Sequence, residues 1–193
     1  MTDRRTFLSG LIALSVAPPA FAAAGFRPLF DGRSLDGWTP LGNARWRVED
    51  GIILTDQKEN GTLVSVADYT DFELLTEFWV SPDANSGVFI RCSDRSEIRQ
   101  HNAYEVNIFD RRPDPAYGTG AIVETAKVTP PLPQAGGRWN EMLIRAQGDR
   151  LSVTLNGRRT VDNVRDEKYR SGPIALQYGK GVVKFRKVEL RTL

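Results

Sequence analysis

The chain has 193 residues, and its 26 lysine and arginine side chains against 24 aspartate and glutamate side chains leave a formal net charge of +2 at pH 7. So small a net charge, with no long run of like charge, excludes the basic surface that nucleic-acid binding requires. Cys92 is the only cysteine, which excludes an intramolecular disulfide, and a small buried hydrophobe is its simplest role.

Residues 1–22 have the features of an export signal. Arg4 and Arg5 form a basic head, residues 7–16 are a short and mostly apolar run, and a final Ala-Phe-Ala gives an A-x-A cleavage pattern. The stretch TDRRTFLSG resembles a twin-arginine signal, and the apolar run is too short to stay in a membrane. An N-terminal anchor or a buried helix is the alternative. We expect residues 23–193 to form one periplasmic or secreted domain, with no membrane association after processing.

The chain after the leader alternates apolar and polar residues in short runs separated by turn signals. Three such runs are FELLTEFWV (72–80), GVFIRC (87–92) and NAYEVNIFD (102–110). This period of two is typical of half-buried strands, and no stretch has a convincing helical period. Asn156 and Gly157 are typical of a type I′ hairpin turn, and Gly179 to Gly181 indicate a closing hairpin. The pattern predicts an all-β fold of two packed antiparallel sheets, a sandwich or jelly roll.

The apolar rows of these strands predict the core, and the segments rich in proline and glycine predict the rim. We expect the core to contain Val88, Ile90, Val106, Ile108, Leu176 and Phe185. Residues 111–120 and 129–137 are typical of long loops at the edge of a sandwich, where function is often located.

The stretch 102–110 places Glu105 and Asn107 on the strand face opposite its apolar row. The same alternation puts other polar side chains opposite the apolar rows of their strands: Glu77, Arg91 and Gln177. If these strands are neighbours, the five converge. The strand alternation alone leaves two interpretations of this polar face open. It is either a solvated face with cross-strand ion pairs or the floor of a binding site for a sugar-like ligand. Three aromatic residues of the same parity, Trp79, Phe89 and Phe109, favour a covered or ligand-binding surface.

Several catalytic systems are absent from the sequence. It contains no G-x-S-x-G, no P-loop and no dinucleotide-binding G-x-G-x-x-G after a strand. His101 is the only histidine, which excludes a multi-histidine metal centre. It lies in a polar loop, where a surface residue is expected and a general base at the rim of a cleft is the alternative.

A set of motifs, in order, covers nearly all of the chain after the leader. They are LFDGRSLDGW (29–38), WRVEDGIIL (46–54), NSGVFIR (85–91), YEVNIFD (104–110), RWNEMLIRAQGDRLSVTLNG (138–157) and GPIALQYGKGVVKFRKVEL (172–190). The set resembles the 3-keto-disaccharide hydrolase domain family. The resemblance implies a concanavalin A-like jelly roll. It also implies an exported protein that acts on glycosides whose C3 hydroxyl a separate sugar 3-dehydrogenase has oxidised.

The resemblance extends to single residues. Asn85, Ser86, Gly87 and Arg91 match the family's N-S-G-x-x-x-R strand, Glu105 and Asp110 match its E-x-Q-x-x-D strand, and Gln177 matches its L-Q strand. Three positions depart from the family: Asn107 replaces the usual Gln, Val123 replaces a usual Tyr, and Tyr178 stands where His is frequent. These departures leave open a changed substrate or a module that binds without turnover.

The implied reaction gives these residue types their roles. A C3 ketone acidifies the C2 proton, so a base can form an enolate that expels the C1 substituent, and water then adds to the unsaturated ketone. The resemblance implies Glu105 as the base and Arg91 as the partner of the enolate oxygen. We expect the other substrate contacts to come from Asn107, Gln177, Glu77, Trp79 and Tyr178. The sequence identifies no cofactor, although a divalent cation held by Glu77 or Glu105 could replace Arg91.

Two other functions stay open at this point. One is a lectin-like carbohydrate-binding module on the same fold. The other is a conventional glycoside hydrolase, which needs two carboxylates about 5–5.5 or 6.5–9.5 Å apart, for example Glu77 and Glu105.

Overall fold

Alternating apolar and polar residues form strands along most of the chain. The computed structural model describes residues 25–56 and 59–193, and the expected signal peptide lies outside the described residues. The strands are β1 (Arg27–Pro28), β2 (Trp38–Gly42), β3 (Arg47–Glu49), β4 (Ile52–Thr55), β5 (Gly61–Ser65), β6 (Phe72–Val80), β7 (Asn85–Ile90), β8 (Tyr104–Ile108), β9 (Trp139–Gln147), β10 (Arg150–Leu155), β11 (Arg158–Arg165), β12 (Ala175–Lys180) and β13 (Val183–Thr192). A 3₁₀ helix, η1 (Pro115–Tyr117), follows β8. No helix in the described ranges has the length and hydropathy to cross a membrane.

The strands pair into two antiparallel sheets, as the sequence predicts. The larger sheet has the order β11-β10-β9-β6-β13-β4-β3, with β1 also paired to β13, and the smaller sheet has the order β2-β5-β12-β7-β8. Three strands with candidate site residues, β12, β7 and β8, are therefore neighbours. The fourth, β6, lies in the other sheet.

The two sheets pack face to face, and their inner faces form one core. All six core residues predicted from the sequence are at most 1% exposed in it: Val88, Ile90, Val106, Ile108, Leu176 and Phe185. The predicted closing hairpin at Gly179 to Gly181 is wrong, because β12 and β13 lie in different sheets and this turn carries the chain from one sheet to the other. The predicted turn between β10 and β11 is confirmed. Asn156 and Gly157 both have positive φ, at 50° and 78°, as a type I′ hairpin requires.

The smaller sheet is covered on its outer face too. Phe89 and Cys92 form a second apolar cluster with Ile98 and Ala103, which come from the segment between β7 and β8. Cys92 is 3% exposed, which confirms its expected role as a buried hydrophobe, and burial raises the pKa of its thiol to about 12. The outer face of β8 is therefore not ordinary solvent surface, and all five residues of this strand are buried.

The free edge of β8 is covered by the segment 120–123. The amide of Val123 donates to the Glu105 carbonyl at 2.9 Å, and the amide of Gly120 donates to the Asn107 carbonyl at 2.9 Å. Covering an edge strand prevents it from pairing with another chain. Here it also fixes the backbone of the two polar residues that the sequence singles out.

Candidate active site

Three of the predicted polar residues meet on the outer face of the smaller sheet. Gln177 on β12 pairs with Gly87 on β7, and Gly87 pairs in turn with Asn107 on β8. Glu105 lies two residues before Asn107 on β8, on the same face, and pairs with Phe89. The structure therefore brings Glu105, Asn107 and Gln177 together around a glycine.

Gly87 is required at this position for space. A Cβ atom on Gly87 would lie 3.3 Å from Gln177 Oε1, 3.3 Å from Glu105 Cγ and 3.2 Å from the Val106 carbonyl oxygen. Contacts this short are tighter than nine in ten of those that real Cβ atoms make, so a side chain here would push its neighbours aside. The missing side chain lets Glu105 and Gln177 approach each other above the strand between them, and the Gln177 side chain hydrogen-bonds the Glu105 carboxylate.

The Glu105 carboxyl group is almost removed from water. Glu105 is 5% exposed, and its cross-strand neighbour Phe89 is 2% exposed. Burial raises the pKa of Glu105 to about 7, opposed by the positive charge of Arg112 and by the Gln177 hydrogen bond, while the Glu124 charge adds to the rise. A carboxylic acid with such a pKa is about half ionised at neutrality, which suits a general base or acid.

Two amide oxygens beside this carboxyl group have no hydrogen-bond partner among the described residues. They are Asn107 Oδ1 and Gln177 Oε1, and both atoms are buried. The Asn107 amide nitrogen is occupied, because it donates to the Tyr117 carbonyl at 2.6 Å. Buried acceptors without donors cost free energy, so these oxygens favour a ligand with hydroxyl groups.

A polar cleft of about 500 Å³ borders the site on the side of Gln177. Its floor includes Thr62 and Asn85 from the strands on either side of β12, and its wall is formed by residues 96–99. Asn102 holds the wall segment in a loop through two hydrogen bonds. Its carbonyl accepts from the Ser93 amide at 2.8 Å, and its Oδ1 accepts from the Arg99 amide at 2.9 Å. The cleft is of the size that small-ligand sites have.

Comparison with known proteins decides the family. The model of the 3-keto-alpha-glucoside-1,2-lyase-like domain family matches residues 25–191. The chain belongs to this family. A curated relative, the 3-keto-disaccharide hydrolase of Bacteroides thetaiotaomicron, is 28% identical over 152 residues, which are 63% of this chain and 52% of the relative. The lyase-like domain therefore spans about half the length of that relative.

Solved structures with low sequence identity confirm the jelly-roll sandwich. A Parabacteroides distasonis protein assigned as a glycosyl hydrolase has a TM-score of 0.75 at 18% identity, with 88% of this chain and 94% of that chain covered. The carbohydrate-binding module CBM66 from Bacillus subtilis has a TM-score of 0.65 at 18% identity, with 81% and 96% covered. At these identities the likeness shows the fold alone.

Arg91 does not reach the site of the lyase-like domain, and the expectation that it does is wrong. Its φ is 52°, so the strand alternation that the sequence reading assumed ends at Ile90. The guanidinium group is buried and donates to carbonyl oxygens of Thr70 and Gly148 at 2.6 to 2.8 Å and to Asp71 Oδ1 at 3.0 Å. Arg91 therefore joins distant chain segments, with its donors engaged.

Glu77 and Trp79 are also absent from this site, because β6 belongs to the larger sheet. The Glu77 carboxylate binds Arg186 at 2.6 Å and Lys187 at 2.7 Å on that sheet's outer face. Trp79 lies on the same outer face, with the Lys184 ammonium nitrogen 5.0 Å from its ring centroid. Alternation predicted the face of each side chain correctly but could not assign the strand to a sheet.

Tyr178 points away from the site as well. It follows Gln177 on β12, so its side chain lies on the inner face, where it is 2% exposed and belongs to the core. Its hydroxyl donates to the Gly181 carbonyl at 2.9 Å. The expectation that the Tyr178 side chain binds substrate is therefore wrong, because adjacent residues of a strand face opposite sides of the sheet.

The remaining family positions support the site. Asp110 accepts hydrogen bonds from Thr119 Oγ1 at 2.6 Å and from the amides of Ala135 and Gly136 at 3.0 and 2.9 Å, so it anchors both rim loops at the end of β8. Val123 is 2% exposed and supports Glu105 through its backbone amide. His101 is exposed.

Sequence reasoning missed two charged residues near Glu105, namely Arg112 and Glu124. Both lie in the loops after β8 rather than on strands. The proline- and glycine-rich composition of residues 111–120 marks the first loop as a rim segment, but alternation assigns no direction to a loop side chain.

Replacing Gly87 by Ala tests the geometry of the site. The added methyl group must move Gln177 or Glu105 by a few tenths of an ångström. We therefore expect kcat/KM on a substrate of the site to fall by about 10-fold, less than the about 10²-fold effect that a misplacement of about 1 Å can have. Circular dichroism and thermal unfolding should show a folded protein.

Gly157→Ala is the matched control. Its Cβ would meet no atom within 4 Å, and its φ is 78°, so this variant should lose stability through backbone strain and retain activity. Equal loss of activity in both variants would contradict the role given to Gly87.

Proposed function

We propose that the protein cleaves 3-keto-glycosides by elimination, with Glu105 as the base. Family membership and the name of the Bacteroides relative support a carbohydrate-active role. The observation that carries the mechanism is a buried carboxyl group with a pKa of about 7, connected to a polar cleft through Gln177. A solvated glutamate would not have this environment.

The proposed reaction proceeds in two steps. Glu105 removes the proton from C2, and the electron pair forms an enolate with the C3 ketone. The enolate then expels the C1 substituent, which leaves as an alcohol by taking up the proton that Glu105 removed from C2, and a C1=C2 double bond conjugated with the ketone remains. Addition of water across that bond, with hydroxyl at C1 and hydrogen at C2, completes a net hydrolysis. A sugar 3-dehydrogenase must supply the ketone, because an ordinary glycoside has no acidic C2 proton.

The neighbours of Glu105 have supporting roles in this proposal. The Gln177 amide holds the carboxylate in place, and the free oxygens of Gln177 and Asn107 accept hydrogen bonds from sugar hydroxyls. Asn107 keeps the amide of the family's glutamine but is shorter. Its own amide nitrogen is fixed by Tyr117, so its oxygen is held in one orientation.

A divalent cation in this site would have Glu105 as its carboxylate ligand and the two amide oxygens as neutral ligands. Within residues 25–56 and 59–193, no group of three or more His, Cys, Asp or Glu side chains is placed to hold a metal ion. Activity with and without a chelator decides whether a cation takes part.

Conventional glycoside hydrolysis is the second candidate. The pair first considered, Glu77 and Glu105, lies on different sheets. Glu124 is the carboxylate whose charge acts on Glu105, and Gln100 Nε2 donates to its Oε1 at 3.0 Å. A catalytic pair of Glu105 and Glu124 would cleave the unoxidised sugar, whereas elimination requires the ketone.

The deciding experiment incubates the protein with a 3-keto-disaccharide and with its unoxidised parent, each with and without chelator. Release of free sugar from the ketone alone supports elimination. Cleavage of the parent supports conventional hydrolysis, and saturable binding of the ketone without turnover supports a binding module.

Glu105→Gln should lower the elimination rate by at least about 10²-fold, because a carboxamide cannot accept the C2 proton. Binding of the 3-keto-disaccharide should persist, since the amide fills the same space.

In the wild type, kcat/KM should rise with pH through about 7 as Glu105 ionises. Glu141→Gln, an exposed change on the other sheet, is the control. Full activity of Glu105→Gln would remove Glu105 from the mechanism.

The same variant should change the pH dependence of stability. The folded state raises the Glu105 pKa from 4.5 to about 7, so it holds the proton more tightly than the unfolded state does. The tighter proton binding therefore stabilises the folded state, and this stabilisation is fully present below about pH 4.5 and is lost as pH rises through about 7. The total loss in the free energy of unfolding is about 3 kcal/mol. The difference in the free energy of unfolding between Glu105→Gln and the wild type, measured by denaturant unfolding, should therefore shift in favour of the variant by about that amount from pH 5 to pH 8. Parallel stability curves would contradict the raised pKa.

We also propose export by the twin-arginine route, on the sequence of residues 1–22. Replacing Arg4 and Arg5 by Lys should leave the protein in the cytoplasm at precursor size, as fractionation and immunoblotting would show. A normal periplasmic yield would contradict this route.

A further inference from the structure

The shape of the Glu105 site determines where a bound substrate can extend. On the β8 side, residues 120–123 cover the strand edge, and all four are buried. Towards the loop between β7 and β8, the apolar cluster that contains Phe89 and Ile98 covers the outer face of the sheet. The site opens on the side of Gln177, which also lines the polar cleft. A substrate at Glu105 therefore extends into this cleft.

A row of paired residues leads from the site into the cleft. Asn107 pairs with Gly87, and Gly87 pairs with Gln177. Gln177 pairs in turn with Thr62 on β5, in the floor of the cleft. Paired residues share a face of the sheet, and adjacent strands lie about 4.8 Å apart, so the row from Asn107 to Thr62 is about 14 Å long. Two linked sugar rings fit along such a row.

The lining of the cleft is polar but carries no net charge. The two charged residues that line it, Glu97 and Arg99, pair with each other at 3.1 Å. An anionic ligand would need a free cation in this wall, and the ion pair does not supply one. Neutral polar residues complete the polar part of the lining: Asn60, Thr62, Asn85, Ser96 and Gln177. Amide and hydroxyl groups in this number suit a neutral ligand with several hydroxyl groups.

Packing against a glycine fixes the Asn85 side chain in the cleft. A Cβ atom on Gly179 would lie 2.9 Å from Asn85 Nδ2, a distance that real Cβ atoms essentially never show. The Asn85 amide therefore lies directly against Gly179, two residues beyond Gln177 on β12. Gly179 provides space for this amide as Gly87 does for Glu105. Asn85 begins the N-S-G match to the family, and the proposed reaction itself gives its amide no part.

We infer that Asn85 and Thr62 recognise the leaving group of the substrate, and that this group is a neutral sugar bound in the cleft. The inference rests on the proposed elimination reaction. The oxidised ring lies over Gly87 with C2 at the Glu105 carboxylate, and C1, the next atom, faces Gln177. The buried Gln177 Oε1 atom, which has no donor among the described residues, accepts a hydrogen bond from a hydroxyl group near the glycosidic linkage. Asn85 and Thr62 then hydrogen-bond the hydroxyl groups of the second ring.

Two substrates that differ in the leaving group test this assignment. One is a disaccharide of two glucose units whose non-reducing ring is oxidised at C3. The other is methyl 3-keto-glucoside of the same anomeric configuration, whose methyl group leaves the cleft empty. For each variant, kcat/KM is divided by the wild-type value on the same substrate, which removes the intrinsic difference between the two leaving groups.

Asn85→Ala and Thr62→Val should each lower kcat/KM on the disaccharide by about 10-fold, because each loses hydrogen bonds to the second sugar. Both variants should keep the wild-type value on methyl 3-keto-glucoside, which also shows that the site is folded. Thr39→Val is the matched control and should change neither value. Thr39 is exposed on the outer face of the same sheet, where it pairs with Val64, and it does not line the cleft.

Two results on an active wild type would overturn the assignment and leave the proposed function standing. One is an unchanged kcat/KM of both variants on the disaccharide. The other is an equal loss on the two substrates, which would show a general effect on the site. A wild type that is inactive on both substrates would instead remove the proposed function, and the assignment with it.

Discussion

The desolvation of the Glu105 carboxyl group is the interaction on which the rest of the site depends. An isolated carboxylate in an apolar environment is costly, and the group responds by holding its proton to higher pH. The fold limits this effect with the positive charge of Arg112 and one hydrogen bond from Gln177. A full ion pair at the same position would keep Glu105 ionised at acidic pH and leave it a weak base. The intermediate environment gives a carboxyl group whose basicity suits proton abstraction near neutrality.

Most of the surrounding structure can be understood as support for this environment. The larger sheet closes the core beneath β8, and the segment 120–123 fixes its edge. Arg91 ties separate chain segments together through buried carbonyl groups, so its contribution is structural although it lies one position beyond β7. Gly87 provides the space in which Glu105 and Gln177 meet. The site is therefore built from residues of three adjacent strands, and the rim loops supply the charges.

The sequence predicted the fold more fully than the site, for physical reasons that particular residues show. A period of two fixes the face of every residue within a strand, so Glu105, Asn107 and Gln177 were correctly grouped opposite the core. Alternation cannot tell which sheet a strand joins, because that depends on non-local pairing, and Glu77 and Trp79 were misplaced for this reason. It also fails where the backbone leaves the extended region, as at Arg91 with its positive φ. Arg112 and Glu124 lie in loops, whose side-chain directions follow from hydrogen bonds such as those of Asp110 and not from any period.

The most direct test of this account is the titration of Glu105 itself. In protein labelled with ¹³C at the glutamate carboxyl carbon, the Glu105 resonance is the one missing from the Glu105→Gln spectrum, and its chemical shift can be followed from acidic to alkaline pH. The account predicts a midpoint of about 7. A midpoint near 4.5, the value of an ordinary glutamate, would contradict it.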